Sequence, residues 1–289
     1  MVPALRRVLV TAGVFLLFLI LVGATYQGVA TALERRRFPH PGRLIDVGDS
    51  QLHLYCTGTG TPIVVLDAPA VTMSAAWSRV QTSVATATRV CSYDRAGLGW
   101  SEAGDAPFSP DTAVAQLHTL LAKANEHGPL VVAGAELGAA LARIYASRYP
   151  DETAALVLVN VPGATVGRGA STPSTRFITF SPWLARTGLL RATRILSSSV
   201  RGLPEPAAGE LRSFLNRPDH LTSAAGELAH WDEAVAMNDA STLRRDLPVV
   251  QIEVEGNDRI GLLGDPRNAS DVADGIARAV RRARSLHRD

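Results

Sequence analysis

A run of 26 residues without a charged side chain, from Val8 to Leu33, constrains this chain more than any other feature. A helix rises about 1.5 Å per residue, so the apolar part of the run is long enough to cross a hydrocarbon core of about 30 Å. Arg6 and Arg7 precede the run, and Tyr26 stands where an interfacial aromatic residue is expected. The run predicts an uncleaved N-terminal membrane anchor over residues 1–34.

A cleaved signal peptide is the alternative interpretation of the same run. Ala30-Thr31-Ala32 has the small-x-small form of a cleavage site. The apolar run is longer than the usual core of a signal peptide, which favours the anchor. Arginines flank both ends of the run, but a short N-terminal tail usually stays in the cytoplasm, so the remaining domain, residues 35–289, is expected on the extracytoplasmic side.

Composition and charge exclude several classes of protein. The 289 residues include 29 Lys and Arg against 27 Asp and Glu, with no long basic block, so no nucleic-acid partner is expected. Two cysteines are too few for a disulfide-rich miniprotein or a multi-cysteine zinc module. The chain is long enough to bury a large core of its own.

The body of the chain alternates short β-branched runs with helix-period segments. Two runs at 44–47 and 52–55 flank the turn Gly48-Asp49-Ser50 and predict a hairpin. Further strands are predicted to begin at Ile63, Arg89, Leu130, Ala154 and Pro248, with helices over 112–125 and 138–148 between them. This alternation predicts an α/β fold with a mostly parallel sheet covered on both faces.

Residues 163–246 break this rhythm. They are rich in Ser, Pro and Arg and contain helical pieces at 183–197 and 207–215. The region is predicted to be a helical cap inserted between two strands of the sheet.

Three segments resemble the α/β-hydrolase fold family, and most closely its membrane-anchored bacterial branch. They are GRLIDVGDSQLHLYCTGTGTPIVVLDA from Gly42, RVCSYDRAGLGWS from Arg89 and LVVAGAELGAALARIYASRYP from Leu130. The resemblance implies a twisted, mostly parallel sheet with helices on both faces and a helical cap. It also implies ancestry among serine hydrolases that cleave esters or amides.

The resemblance also shows where this chain departs from the family at the nucleophile. Family members carry G-x-S-x-G on a sharp strand-to-helix turn, called the elbow. Here Gly134 and Gly138 are kept, but Glu136 occupies the nucleophile position. The oxyanion donors would be the amides of Leu137 and of Ala70 or Val71, because Pro69 has no N–H.

Of the two other members of the expected triad, the acid has a candidate in this chain and the base has none at its usual position. Asp258, in Gly256-Asn257-Asp258, stands at the acid position of the family. About ten residues then lead to a final helix from Asn268, which is too short for the helix and strand that precede the catalytic histidine. Those residues contain no histidine, so the general base is missing. Of the histidines elsewhere, at positions 40, 53, 118, 127, 220, 230 and 287, only the cap residues His220 and His230 remain as stand-ins.

Three readings of Glu136 follow. It is a carboxylate nucleophile, as Asp is in related dehalogenases and epoxide hydrolases. Alternatively, its carboxylate fills the remaining oxyanion donors and blocks acyl chemistry while the pocket persists. In the third interpretation, no selection acts on this site, and the chain is a decaying paralogue or a purely structural ectodomain.

No cofactor and no metal site are expected, since the chain has no His-x-x-x-His, Cys-x-x-Cys or dinucleotide-binding loop. Cys56 and Cys91 fall on strands that are neighbours in the hydrolase fold, so either a disulfide or two buried thiols fits.

These observations predict a non-catalytic, membrane-anchored protein, a pseudoenzyme that binds a small apolar ligand in its pocket or a partner. The alternative is a weak hydrolase of small esters or amides that uses Glu136 and Asp258 with a cap histidine. A cap histidine within hydrogen-bond reach of Glu136 would favour the alternative.

Overall fold

A computed structural model describes residues 2–162, 173–256 and 259–286. The chain begins with one long helix, α1 (Val2–Arg37), which continues three residues beyond the predicted limit of the anchor. The large apolar side chains from Leu5 to Val22 are all 41% to 65% exposed. Within the described residues this is the one helix long and apolar enough to span a membrane, with a mean hydropathy of 2.6 in its 18-residue window.

The body is built on a seven-stranded sheet with the order β1-β2-β4-β3-β5-β6-β7. β1 and β2 form the predicted hairpin and β2 runs antiparallel to β4, whereas the remaining neighbours are parallel. The strands are β1 (Arg43–Asp46), β2 (Gln51–Thr57), β3 (Ile63–Asp67), β4 (Val90–Tyr93), β5 (Leu130–Ala135), β6 (Thr153–Val159) and β7 (Val249–Ile252). The central strands β3, β4, β5 and β6 are buried along their whole length, as continuous β-branched runs predict.

Helices cover both faces of this sheet and divide the core into two layers. α2 (Ser78–Val84) and α10 (Pro266–Leu286) pack together on one face, where Val64 and Leu66 of β3 point. α3 (Pro110–Ala124) and α4 (Leu137–Arg148) cover the other face, to which Val65 contributes. The alternating side chains of a single strand therefore serve two different cores.

The cap lies between β6 and β7 and is helical, as predicted. Its helices are α5 (Pro173–Arg186), α6 (Leu189–Thr193), α7 (Ala207–Phe214), α8 (Pro218–Ala229) and α9 (Trp231–Ala240). The predicted helix at 183–197 is wrong in detail, because α5 ends at Arg186 and Gly188 then takes a left-handed φ of 72°. The predicted start of the cap, at Gly163, lies outside the described residues.

The described residues between β7 and α10 contain no strand, so the sheet ends at β7. Asp258, the predicted acid, and its neighbour Asn257 lie outside the described residues, as does His287. The position of the acid therefore stays a prediction.

Cys56 on β2 and Cys91 on β4 stand directly opposite each other in the sheet register. The structure joins them in a disulfide across these two antiparallel strands. No free cysteine remains in the chain.

Candidate functional site

The turn between β5 and α4 is the elbow, built around one strained residue. Glu136 has φ 50° and ψ −114°, a conformation that side chains rarely adopt. A Cβ on Gly134 would lie 2.0 Å from the carbonyl oxygen of Gly138, and a Cβ on Gly138 would lie 2.4 Å from that of Asp67. The two glycines are therefore needed for the close approach of three backbone segments, and they present residue 136 at the tip.

The side chain of Glu136 faces a cation. Its Oε2 lies 3.7 Å from Nε of Arg259, and the two side chains are about one-fifth exposed. The Arg259 guanidinium in turn lies 5.2 Å from the ring centroid of Trp231, at the start of α9. Although Glu136 is the N-cap residue of α4, its side chain makes no capping hydrogen bond. The group at the nucleophile position is thus held in an ion pair rather than folded back onto its own helix.

The loop after β3, which would supply the second oxyanion donor, is partly occupied. The Val71 amide donates to Oε2 of Glu227 at 3.0 Å, and Val71 has a left-handed φ of 70°. Of the two amides predicted on this loop, Val71 is therefore used by the protein itself, which leaves Ala70 to pair with Leu137. Both Ala70 and Leu137 are buried.

A buried charge network fixes this loop and ties it to the cap. Arg95 donates to Asp67 at the end of β3 and to Glu227 on α8, and all three side chains are at most 3% exposed. Arg95 also donates to the carbonyl of Ala68 at 2.8 Å, and the Tyr93 hydroxyl donates to Asp67 at 2.7 Å. Burial raises the pKa of Asp67, although the charge of Arg95 opposes this. Arg95 pairs with two buried carboxylates, and these pairs hold the loop after β3 in position against the cap.

These features coincide with a match to known proteins. The family model described as the alpha/beta hydrolase fold matches residues 62–203, which include the elbow and the loops beside it. The chain has the α/β-hydrolase fold. The family assignment and the sheet topology agree with the resemblance found in the sequence.

Two curated relatives are similar to this chain over part of their length. An uncharacterized protein of Schizosaccharomyces pombe is 30% identical over 105 residues, which are 36% of this chain and 20% of the relative. The uncharacterized protein YbdG of Bacillus subtilis is 25% identical over 126 residues, which are 42% of this chain and 38% of the relative. The chain thus spans well under half the length of each.

Solved structures share the fold at low sequence identity. The Cif epoxide hydrolase from Acinetobacter nosocomialis aligns with a TM-score of 0.68 at 13% identity, over 89% of this chain and 96% of that one. The enol-lactonase from Burkholderia xenovorans LB400 aligns with a TM-score of 0.61 at 15% identity, over 81% of this chain and 100% of that one. A membrane phospholipase A, described as a bacterial virulence factor, aligns with a TM-score of 0.57 at 17% identity, over 96% of this chain and 99% of that one.

Both cap histidines make hydrogen bonds to backbone groups, and His220 uses both of its ring nitrogens. Nδ1 of His220 accepts from the amide of Gly99 at 3.0 Å, and its Nε2–H donates to the carbonyl of Val71 at 3.0 Å. Burial lowers the pKa of His220, which is 1% exposed, so the neutral ring has no nitrogen left for catalysis. Nδ1 of His230 lies 3.0 Å from the carbonyl of Gly226 one turn earlier.

His53 has the most charged environment of the buried histidines, and it is structural. Its Nδ1 lies 3.0 Å from Oδ2 of Asp94 and its Nε2 faces the carbonyl of Pro41, so both ring nitrogens donate. Burial opposes the charge, but Asp94 and these hydrogen bonds outweigh it and raise the pKa of His53. Asp94 also accepts from the amides of Ser74 and Trp100. The pair holds the hairpin and two loops together.

Two cavities of about 390 Å³ each are lined by described residues, and Glu136 lines neither. The first, cavity A, lies between the sheet edge, α2 and the cap helix α7; it is lined by Pro41, Tyr55, Ser78, Gln81, Trp100 and Glu210, among others. The second lies between α3, α8 and the loop after β4.

Two polar residues that line cavity A are Glu210 and Ser78. Glu210 is 8% exposed, and the buried Ser78 hydroxyl has no hydrogen-bond partner among the described residues. Burial and the charge of Asp94 raise the pKa of Glu210 from 4.5 to about 7. Neither group carried a signal in the sequence, because both lie in segments that match no motif.

One group of described residues has ligand atoms close enough for a metal ion, namely Cys56, Cys91 and Glu126. The two sulfurs are bonded to each other, and Glu126 accepts two hydrogen bonds from Arg89. The group is therefore fully used by the fold and does not fit a metal.

Proposed function

We propose that this chain is a membrane-anchored α/β-hydrolase-fold protein whose serine-hydrolase chemistry is closed and which acts by binding a small ligand. The observation that carries the proposal is the ion pair between Glu136 and Arg259 at the tip of the elbow. An arginine at this point stabilises the carboxylate as an ion and competes with any electrophile for it. The retained glycines keep the shape of the elbow, while the reacting group is replaced.

Loss of the base supports the same conclusion. A carboxylate that attacks a substrate forms an ester, which needs an activated water for its release. Both ring nitrogens of His220 are hydrogen-bonded to backbone groups. With Asp258 as the acid and His220 bonded in this way, a catalytic cycle through Glu136 is proposed to stop at the ester.

Cavity A supports the binding role. The Glu210 carboxylate lines this cavity, where a ligand with hydrogen-bond donors can pair with it. The charged side chains that line the cavity are Glu205 and Glu210, and no Lys or Arg lines it. Glu205 is already paired with Arg212 at 2.9 Å. The chemistry favours an amine on an apolar body, with Trp100 providing an aromatic wall.

The anchor is the second part of the proposal. The exposed apolar side chains from Leu5 to Val22 form a surface that water solvates poorly and a bilayer accepts. The domain is proposed to lie on the extracytoplasmic side, where a disulfide such as Cys56–Cys91 is maintained.

Hydrolysis is tested with p-nitrophenyl acetate and p-nitrophenyl butyrate on the full chain in detergent. Wild type and Glu136→Ala are both expected to match the rate of the buffer. Turnover by wild type that Glu136→Ala abolishes would establish the alternative, a hydrolase with Glu136 as its nucleophile.

Binding to cavity A is tested by titrating the full chain with n-hexylamine, n-hexanol and hexanoate, with isothermal calorimetry as the readout. Hexylamine is expected to bind to wild type and to bind more weakly to Glu210→Gln, whereas hexanoate does not bind. The control is Glu205→Gln, which changes an exposed, already paired carboxylate and leaves hexylamine affinity nearly unchanged. Equal affinity of wild type and Glu210→Gln for hexylamine would contradict the assignment.

A further inference from the structure

The membrane helix and the cap are joined by close contacts. A Cβ on Gly23 would lie 2.0 Å from the carbonyl oxygen of Thr187, and one on Gly188 would lie 2.7 Å from that of Gly23. Further along α1, Gln27 is 5% exposed and donates to the carbonyl of Asn216 at 2.7 Å. The cap therefore packs on α1 backbone to backbone, at the turn between α5 and α6.

Polar contacts fix the same interface closer to the domain. Arg191 on α6 donates to Gln27 at 3.0 Å and forms a bidentate pair with Glu34. Ser213 on α7 donates to Glu34 at 2.8 Å. These partly buried bonds set the position of the cap along α1, so the cap does not swing freely on a linker.

The depth of this contact follows from helix geometry. The 19 residues from Val8 to Tyr26 span about 28 Å, close to the thickness of a hydrocarbon core. Tyr26 then lies at the interface, which is the usual place for a half-exposed aromatic residue at the end of a span. Gly23 lies three residues, about 4.5 Å, deeper along α1, so the α5–α6 turn that contacts it reaches the boundary between the headgroups and the acyl chains.

The cap presents large apolar side chains to solvent on both sides of this turn, in α5, in α6 and just after α6. Phe180 and Trp183 on α5 are 67% and 70% exposed, and Leu189 and Ile195 follow at 49% and 51%. In the described residues outside α1, these four side chains account for most of the exposed large apolar groups. Four exposed large apolar side chains within 16 residues are typical of an interaction surface rather than of ordinary protein exterior.

The charged side chains of α5, α6 and the residues just after α6 are all positive. Residues 173–203 include five arginines and no Asp or Glu. Four of these arginines are exposed, at positions 176, 186, 194 and 201, and the Arg186 guanidinium lies 5.2 Å from the centroid of the Trp183 ring. Arg35, Arg36 and Arg37 add three more positive charges at the end of α1. Anionic phospholipid headgroups attract such clusters because their charges are opposite.

From these contacts we infer that α5 and α6 form a second membrane-binding surface, on which the cap rests against the bilayer that α1 spans. The partner is an anionic lipid surface: Phe180, Trp183, Leu189 and Ile195 enter the headgroup region, and the exposed arginines contact phosphates. The inference rests on the proposed membrane anchor and extends it, because it orients the whole domain relative to the bilayer.

The experiment places an environment-sensitive fluorophore at one position at a time in the full chain. The chain has no free cysteine, so Phe15→Cys, Phe180→Cys and Leu286→Cys can each be labelled selectively with nitrobenzoxadiazole. Each protein is reconstituted in vesicles of phosphatidylcholine and phosphatidylglycerol, with and without lipids that carry a nitroxide on the acyl chain. Phe15 reports on the anchor and Phe180 on the cap.

Leu286 is the matched control. It is 52% exposed, and the adjacent Arg284 donates to the carbonyls of Thr61 and Ala87, which precede β3 and β4. The label at 286 therefore lies at the edge of the sheet opposite the cap. The surface itself is then altered by adding Trp183→Ser to the Phe180→Cys protein, and circular dichroism verifies that both proteins keep their helix content.

The inference predicts blue-shifted emission and nitroxide quenching at Phe15 and Phe180, but not at Leu286. Trp183→Ser, or vesicles of phosphatidylcholine alone, should reduce the quenching at Phe180 and leave that at Phe15 unchanged. If Phe15 is quenched and Phe180 behaves like Leu286, the cap surface is refuted and the anchor stands. If Phe180 is blue-shifted but not quenched, protein covers it and the lipid surface is refuted. If Phe15 is not quenched, the anchor fails and the inference fails with it.

Discussion

At the residue scale, the molecule keeps the backbone of an elbow and changes the group at its tip. Gly134 and Gly138 could be assigned from the sequence, because only glycine allows the approach of the strand, the helix and the loop after β3. The partner of Glu136 could not be assigned from the sequence, because Arg259 lies 123 positions away and belongs to no motif. Spacing indicates which backbone is close, but not which flexible side chain reaches across a site.

Gly138→Ala tests the packing of the elbow. The new Cβ would lie 2.4 Å from the Asp67 carbonyl oxygen, so we expect the free energy of unfolding to fall by about 3 kcal/mol. Gly226→Ala on α8 is the control, since the nearest atom to its Cβ is 3.9 Å away, and it should stabilise the protein by up to about 1 kcal/mol. Urea unfolding in detergent measures both, and a neutral Gly138→Ala would refute the close approach.

Glu210 makes stability depend on pH. Its pKa rises from 4.5 to about 7, so the neutral carboxyl favours the folded state, and this contribution is lost as the pH rises through about 7. Relative to wild type, Glu210→Gln should therefore gain stability between pH 5 and pH 8, by up to about 3 kcal/mol. Unfolding curves at the two pH values check this. A constant difference would show that Glu210 is ionised throughout.

At the element scale, the loop after β4 connects the sheet to the cap. Asp94 and Arg95 fall in the segment from Arg89 that resembles the family, and the structure shows what each of them does. Asp94 orders the hairpin and two loops, and Arg95 links β3 to α8 through Glu227. Glu227 itself was missed, because an acidic residue on an amphipathic helix is normally exposed.

Glu227→Ala should be strongly destabilising. It leaves Arg95 with one carboxylate partner and the Val71 amide with none, and breaking a buried pair of this kind costs about 3–5 kcal/mol. Asp246→Ala removes an exposed pair with Arg244 and should cost less than about 1 kcal/mol. Denaturant unfolding of the two variants provides the comparison, and similar losses would contradict the network.

The disulfide between β2 and β4 closes a sequence separation of 35 residues. Loop-closure entropy predicts that the double variant Cys56→Ser/Cys91→Ser is less stable by about 3–4 kcal/mol. The same loss is expected when wild type is unfolded after reduction, and a reduced protein as stable as the oxidised one would show that the bridge contributes nothing.

At the scale of the whole molecule, the sequence was most informative about architecture and least informative about the cap. The seven strands and the final helix lie within a few residues of their predicted positions, because buried parallel strands are continuous apolar runs. The cap helices were only partly found, since their breaks depend on contacts with α1, such as that of Gly188 with Gly23. α1 and the cap form one unit through contacts that no local pattern encodes.

The measurement that tests the central claim most directly is fluorophosphonate labelling of Glu136→Ser in the full chain, beside wild type and Glu136→Ala. Restoring the serine recreates G-x-S-x-G on an intact elbow, so any surviving base and oxyanion hole would activate it. Because both nitrogens of His220 are bonded to backbone, we expect Glu136→Ser to label no faster than Glu136→Ala. Rapid labelling and ester turnover by Glu136→Ser would show that the rest of the machinery is intact and that the account is wrong.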